Sequence, residues 1–440
     1  MQKIRHTYSV CPVCLKRLPA EIVKREQEYF IEKTCSDHGR FSTVVWRGDH
    51  PSFEKWGDYA PPVEAEEVQL DCPSHCGLCP SHLQKTCCVL VEVTTRCNLN
   101  CSFCFAQGGG ESIDPSVEEL SACFKQLVKD GRSFVQLSGG EPTLRDDLPD
   151  IVAAAKAAGC ENIQLNSNGI RLGTDRAYTK ALAQAGLSFV FMQFDGIDDA
   201  IYEKLRGKPL FAEKQAAIKA CSDEWIGVTL VPTVVPGVND RDIGEILNFG
   251  FSNSPAVRGI HFQPVSYFGR CSKPPKNENR ITLPEILHAM ERQTDGKVLI
   301  ADFIPSGCDH PRCGFHADFV VLPDALLRLS KKADSCSCSQ DDGNAHIKNR
   351  NFVARRWKRT VEDNESECCC NKDYMDMDAF LGRIKSHGFT ITAMAFQDAY
   401  TLDSERLRRC SLHVYRDGRV IPFCARYLTA DLHWFTQMQE

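Results

Sequence analysis

From residue 89 onward the chain alternates short apolar runs with longer stretches of helical periodicity. VLVEVTT (89–95) is a run of apolar and β-branched residues, and SVEELSACFKQLVKDG (116–131) spaces its apolar positions three and four apart. SFVQLSGG (133–140), NIQLNSNG (162–169), SFVFMQFDG (188–196), WIGVTLVPTVV (225–235) and GIHFQPVS (259–266) read as further strands. Between them, LPDIVAAAKAAG, DRAYTKALAQAG, LFAEKQAAIKAC and IGEILNFG read as helices. Six β–α units with near-continuous apolar strands predict an α/β fold, a parallel sheet covered by helices. Polar residues and glycines gather where the strands end, the edge that carries the active site in barrel-like α/β folds.

The flanks follow other rhythms. Residues 1–88 combine CPVC, an alternating YFIEKTC, DHGRFSTVVW and a linker, APPVEAEEVQLD. This predicts a cysteine-rich metal module built on a hairpin. Residues 271–440 are less regular: a helix at ITLPEILHAMERQ, another at NFVARRWKRTVE, and strands in FTITAMAFQDAY and LHVYRDGRVIPFC, the last pair joined by a tight Asp-Gly turn. Three units are expected, 1–88, 89–270 and 271–440.

Composition narrows the chemistry. The chain has 440 residues, a net charge of -6 and 24 cysteines. It lacks a run of about 18 apolar residues, so no span is expected, and MQKIRHTYSVCPVC shows no apolar export segment. A cytoplasmic location is expected, with peripheral contact at a membrane as an addition. The charge gives no global attraction for nucleic acid. In a reducing compartment, tight cysteine groups favour metal or iron–sulfur ligation over disulfides. Cys123, Cys160 and Cys221, standing alone, are expected to pack as small hydrophobes.

Cys97, Cys101 and Cys104 in CNLNCSFC directly follow the first strand. Three thiolates can hold a [4Fe–4S] cluster and leave one iron open for a ligand. Zinc competes, but it wants a fourth donor, and CNLNCSFC offers none locally. Cys72, Cys76 and Cys79 repeat the spacing ahead of the barrel; with Cys87 or, by register, Cys88 they suit an auxiliary cluster closed by four thiolates. Cys11, Cys14 and Cys35 suit a mononuclear iron or zinc, with His38 or another thiol as fourth donor. Cys308, Cys313, Cys410 and Cys424, far apart in sequence, suit a second auxiliary cluster. Cys336, Cys338 and Cys368–Cys370 lie in polar, irregular sequence and receive no role.

CNLNCSFC, with Phe103 in the aromatic slot, resembles the cysteine motif of radical S-adenosylmethionine (SAM) enzymes. SGGEPTL (138–144) is similar to that family's GGE motif, and LNSNG (165–169) to its ribose-contacting segment. The resemblance covers roughly residues 89–270 and implies a partial (β/α)6 radical-SAM barrel. It also implies reductive cleavage of SAM to a 5′-deoxyadenosyl radical, with electrons from a donor such as ferredoxin or flavodoxin. Gly139 and Gly140 are then expected to let backbone approach the ligand, and Glu141 to meet its ammonium. Asn166, Ser167 and Asn168 are expected at carboxylate or ribose hydroxyls, Asp195 at ribose or substrate, and Arg206 at the methionine carboxylate. The run VPTVVPG (231–237) is expected at the adenine edge; His261 and Gln263 alternate so that both can point inward.

The order of cysteine groups along nearly the whole chain resembles the archaeal tetraether synthase group, which overlaps the class D radical methylases. That resemblance implies carbon–carbon coupling of lipid alkyl chains. It calls for an apolar groove, to which Phe389, Ile391, Met394 and Phe396 are candidates to contribute. The alternative is a radical methyltransferase acting on a pterin- or folate-type heterocycle, expected to show a compact polar pocket instead. A non-catalytic iron–sulfur carrier is a third reading, disfavoured because GGEP and NSNG would then have no task. No cobalamin-type DxHxxG pattern is present.

Overall fold

The computed structural model describes residues 1–57, 78, 82–106, 114–269, 275–329, 356–359 and 377–429. Cys72, Cys76 and Cys79, Cys336, Cys338 and Cys368–Cys370 lie outside these residues, as does most of the expected helix NFVARRWKRTVE.

The N-terminal module is a four-stranded antiparallel sheet of β1 (Gln2–Val10), β2 (Arg17–Arg25), β3 (Glu28–Cys35) and β4 (Gly39–Arg47) in sequence order. The core of the protein is a second sheet. Its first strands are β5 (Cys88–Thr94), β6 (Phe134–Gly139), β7 (Asn162–Ser167), β8 (Phe189–Gln193), β9 (Gly227–Val231), the short β10 (Thr233–Val234) and β11 (Val257–Pro264). β5, β6, β7, β8, β9 and β11 are the six expected parallel strands, side by side in that order. Helices α1 (Val117–Lys129), α2 (Leu148–Ala157), α3 (Ile170–Thr174), α4 (Arg176–Ala185), α5 (Asp199–Arg206), α6 (Phe211–Asp223) and α7 (Ile243–Ser252) connect them. α1 starts at a capping box in which Ser116 accepts from Glu119 N and Glu119 from Ser116 N.

The sheet is wider than six strands. After α8 (Leu283–Gln293) come β12 (Ile304–Pro305), β13 (Gly314–Val321), β14 (Leu326–Arg328), α9 (Met377–Ser386), β15 (Gly388–Met394), α10 (Ser404–Arg408), β16 (Leu412–Arg416), β17 (Arg419–Pro422) and α11 (Phe423–Arg426). β15 adds parallel to β11 at one end and β16 parallel to β5 at the other, making eight parallel strands. Antiparallel β13 and β17 flank them. The β16–β17 hairpin turns at Asp417 and Gly418, both at positive φ, as the Asp-Gly pair requires. The C-terminal stretch thus completes the barrel sheet as well as carrying cysteines.

Strand alternation sorts the two faces. Val135, Leu137, Ile163, Leu165, Val190, Met192, Val228, Leu230, Ile260 and Phe262 are at most 2% exposed and form the main core with the helices. Phe389 and Ile391 belong to this core, and Phe389 stacks edge-on against Phe251 of α7. They pack the fold and do not line a groove. The opposite positions, Gln136, Asn166, Phe191, Gln193, His261 and Gln263, line a cavity inside the barrel.

Candidate active site

The cavity has a volume of about 330 Å³ and opens beside the Cys97–Cys104 loop. That loop is pinned on two sides. Asn168 Nδ2 donates to Asn98 Oδ1 at 2.7 Å, while Ser102 N donates to Leu205 O at 3.1 Å and Ser102 Oγ to Lys204 O at 3.0 Å. Phe103 packs edge-on against Tyr267. Cys97, Cys101 and Cys104 all reach the cavity wall. Burial pushes the Cys97 thiol up, and Glu141, Cys101 and Cys104 push in the same direction. A bound cation reverses that balance, because metal coordination deprotonates a thiol.

The glycines meet the loop's lead-in. Gly140 N donates to Thr94 O at 2.8 Å and Glu141 N to Arg96 O at 2.7 Å. A Cβ on Gly139 would sit 2.0 Å from Thr94 O, and one on Gly140 2.1 Å from Arg96 O. Gly139 also holds φ at 132°, which side chains rarely adopt. Both positions therefore require glycine for backbone contact, whatever else they approach.

Glu141 is 2% exposed. Its Oε1 accepts from Thr143 N (3.1 Å), Thr143 Oγ1 (2.6 Å) and Ser167 Oγ (2.8 Å), and its Oε2 accepts from Asn168 N (2.7 Å). It thus knits the end of β6 to the end of β7, and Oε2 keeps room for another donor from the cavity. Asn168 Oδ1 accepts from Ile170 N at 3.0 Å, an Asx turn that starts α3. Asn166 accepts from Gln164 Nε2 at 2.6 Å and lines the cavity.

Asp195 is fully buried and is not among the cavity-lining residues. It binds Arg206 through two bonds, Nε to Oδ2 at 2.6 Å and Nη2 to Oδ1 at 2.8 Å, and accepts from Thr233 N and Gln193. Burial opposes the charge on Arg206, but Asp195 outweighs it and holds the guanidinium protonated. Arg206 reaches the cavity; Asp195 stands behind it as counter-ion. Of the run 231–237, Val231 and Thr233 line the cavity.

Deeper in, the wall changes to carboxamides between aromatic faces. Gln136, Gln193 and Gln263 stand with His261 around Phe134, Phe191 and Trp357. His261 Nδ1 pairs with Thr392 Oγ1 at 2.8 Å, and burial pushes its pKa down to about 4, so the ring is neutral near pH 7. The Trp357 indole Nε1 is buried at the cavity edge and has no hydrogen-bond partner among the described residues. Lys214 of α6 is fully buried and donates to Asn168 O at 2.5 Å and Gln193 Oε1 at 2.7 Å, fixing the orientation of that carboxamide. Burial pushes its amine down to about 7.

A different kind of site sits in the N-terminal sheet. Cys11, Cys14, Cys35 and His38 bring one ligand atom each within 4.8 Å of all the others. Sulfur-to-nitrogen distances are 3.6 Å from Cys11 and 3.5 Å from Cys35 to His38 Nδ1. Tetrahedral bonds of about 2.3 Å to sulfur and about 2.0 Å to nitrogen would set that separation near 3.5 Å. The four donors thus fit a single ion. The Asp37 amide and the His38 ring draw the Cys35 thiol down, while burial pushes Cys11 up.

Residues 3–47 match the family model described as an HMPTM N-terminal zinc ribbon domain, and residues 91–250 match that of the radical SAM superfamily. Over 96% of its length the chain is 34% identical to the 7,8-dihydro-6-hydroxymethylpterin dimethyltransferase of Methanocaldococcus jannaschii, covering 92% of that protein. The chain belongs to the radical SAM superfamily. It is also 35% identical over 44% of its length to the Fe-coproporphyrin III synthase of Methanosarcina barkeri, covering 49% of that protein. Among solved structures it is similar to SuiB of Streptococcus suis bound to its precursor peptide, with a TM-score of 0.41, 16% identity, and 48% and 46% of the two chains covered. The narrower resemblance to tetraether synthases has no counterpart among these relatives.

In this radical SAM chain the remaining cysteines divide by position. Cys88 accepts from Gln136 Nε2 at 3.2 Å and faces the barrel cavity. Cys87 lies against Cys308: the contact draws the Cys87 thiol down, against Cys88 and burial that push it up, and it pushes the Cys308 thiol up together with burial. Cys308, Cys313, Cys410 and Cys424 are electrostatic neighbours of Asp309. Among the described residues only the Cys11 group meets the 4.8 Å spacing. Sequence reading missed Gln136, Gln193, Lys214 and Trp357. The first two carried a signal, a lone polar residue at an alternating position of an otherwise apolar strand. Lys214 and Trp357 carried none.

Among the described residues no helix is long and apolar enough to cross a membrane.

Proposed function

We propose that this radical SAM enzyme methylates a flat, pterin-type heterocycle. The observation that carries the reading is the inner wall, where Gln136, Gln193, Gln263 and His261 offer hydrogen bonds between the aromatic faces of Phe134, Phe191 and Trp357. Carboxamides match the donor–acceptor edge of a lactam ring, and aromatic faces match its plane. The volume of about 330 Å³ is at the small-molecule end of the usual range of about 300–1,000 Å³. The full-length similarity to a hydroxymethylpterin dimethyltransferase supports the same substrate class. The lipid-coupling expectation lacks such support: of its four candidate residues, Phe389 and Ile391 pack under helices, and only Met394 and Phe396 reach the cavity.

A [4Fe–4S] cluster on Cys97, Cys101 and Cys104 would supply the electron that breaks the sulfonium of one SAM, giving methionine and a 5′-deoxyadenosyl radical for hydrogen abstraction, while a separate one-carbon donor would supply the methyl group. The protein's own groups hold and shield the reactants. Arg206, fixed by Asp195, presents a cation to a carboxylate; Oε2 of Glu141 presents an acceptor to an ammonium; the Asn166 side chain faces ribose hydroxyls. Neutral His261 accepts or donates one hydrogen bond to substrate without placing a charge beside a radical. Cys72, Cys76 and Cys79 with a thiol at 87 or 88, and the Cys308 group, would hold auxiliary clusters, and an external ferredoxin or flavodoxin would deliver electrons.

The test is mass spectrometry of pterins and total lipids from anaerobic cells with and without the protein. Methylated pterins that appear only with the active protein, and vanish in Cys101→Ala, are the expected result. Unchanged pterins with newly coupled lipid chains would overturn it.

A further inference from the structure

We propose that Arg406 tunes the reduction potential of the site formed by Cys308, Cys313, Cys410 and Cys424, by donating a charged hydrogen bond to the Cys313 sulfur. This rests on the reading of those four thiols as an auxiliary iron–sulfur site. Arg406 Nε donates to Cys313 Sγ at 3.4 Å, and its Nη2 donates to Ala395 O at 2.5 Å. Ala395 N in turn donates to Cys313 O at 2.8 Å, so guanidinium and cysteine loop are locked together. The side chain is 9% exposed, and among the described residues no carboxylate forms an ion pair with it.

A guanidinium stays protonated in proteins, so a buried one needs a negative partner. The partner its Nε reaches is the Cys313 sulfur, and the carboxylate nearby, Asp403, is already paired with Arg5. Thiolates bound to a cluster would be anionic and would supply the missing charge. The Gln397 N–H donates to Cys424 Sγ at 3.3 Å, a second hydrogen bond of the same kind. Hydrogen bonds to cluster sulfurs and nearby positive charge favour the reduced, more negative form and raise the potential.

The position of Arg406 is built, not incidental. It lies on α10, whose cap residue Asp403 accepts from Glu405 N at 3.1 Å. The Asp403 carboxylate also takes Thr7 Oγ1 at 2.7 Å and the Arg5 guanidinium, both from β1. Lys33 of β3 donates to the carbonyls of Ala399 at 2.6 Å and Tyr400 at 2.9 Å. The N-terminal sheet therefore holds the segment that presents Arg406 to the cysteines.

The experiment is an anaerobic redox titration of the full chain followed by electron paramagnetic resonance, with iron counted in each sample. The signal lost in Cys313→Ala is assigned to this site. Arg406→Gln is expected to move its midpoint to lower potential with iron content unchanged, and Arg406→Lys to move it less. An unmoved midpoint at unchanged iron content overturns the tuning role while leaving the cluster intact. Absence of any Cys313-dependent signal in the parent protein overturns the auxiliary-cluster reading and the inference with it. If Arg406→Gln loses iron, Arg406→Lys, which keeps the charge, decides the question by the same midpoint.

Discussion

Two cysteine groups in this chain begin from similar short motifs and end as opposite kinds of site. Cys11 and Cys14 are joined across an antiparallel sheet by Cys35 and His38, and the four donors close to within 4.8 Å. Cys97, Cys101 and Cys104 sit on a loop after a parallel strand, on the wall of a cavity. The first group offers four donors, enough to close the shell of one tetrahedral ion. The second provides three donors and an opening toward Arg206, Glu141 and Asn166. Coordination number, set by what the fold brings alongside, separates a structural metal from a reactive one.

The largest test of this contrast is the pair Cys101→Ala and Cys11→Ser. Losing a ligand of the open site should lower 5′-deoxyadenosine production more than about 100-fold, beyond the 10–100-fold typical of outer partners of metal ligands. Cys11→Ser should remove one metal equivalent and lower the melting temperature, while 5′-deoxyadenosine formation stays within about tenfold. Equal loss in both variants would break the division into closed and open sites.

Next in size is the ion pair behind the cavity. Asp195→Ala leaves the buried Arg206 guanidinium uncompensated, which should destabilise the fold by about 3–5 kcal/mol in a denaturant titration. The exposed pair Lys3–Glu21 of the N-terminal sheet gives the matching control, since Glu21→Ala should change stability by less than about 1 kcal/mol. Similar values for both would mean that solvent screens the barrel pair as well.

The pH profile comes third. His261 is held down at about 4, below its ordinary value of 6.5. As pH falls from 6.5 toward 4, the unfolded chain takes up a proton that the folded ring refuses. Stability contributed above pH 6.5 is therefore lost across that window and stays level below it. The full shift corresponds to about 3 kcal/mol, reduced by water in the cavity. His261→Gln should flatten that part of the profile; an unchanged slope would place the titration elsewhere.

The smallest expected effect is the most specific. Gln136→Leu removes one hydrogen bond from the cavity wall and keeps most of the volume. It should raise the KM for the heterocycle by about tenfold, the equivalent of about 1 kcal/mol or slightly more. Formation of 5′-deoxyadenosine without substrate should remain as it was. Loss of that basal reaction would assign Gln136 to SAM and not to the heterocycle.

Much of this was legible along the chain. Alternating apolar runs set six parallel strands, and CNLNCSFC, SGGEPTL and LNSNG fell on strand ends as their spacing required. CPVC, Cys35 and His38 marked the closed site, because its donors are supplied by adjacent hairpins. Local pattern dictates these features, since strand periodicity and short ligand spacings are properties of neighbouring residues. Only the tertiary structure decided that β15 and β16 extend the sheet, that Asp195 backs Arg206, that Lys214 fixes Gln193, and that Arg406 meets Cys313. Those contacts join residues distant in sequence through buried charge and strand pairing. Their partners are chosen by where the chain returns, and no local signal records that choice.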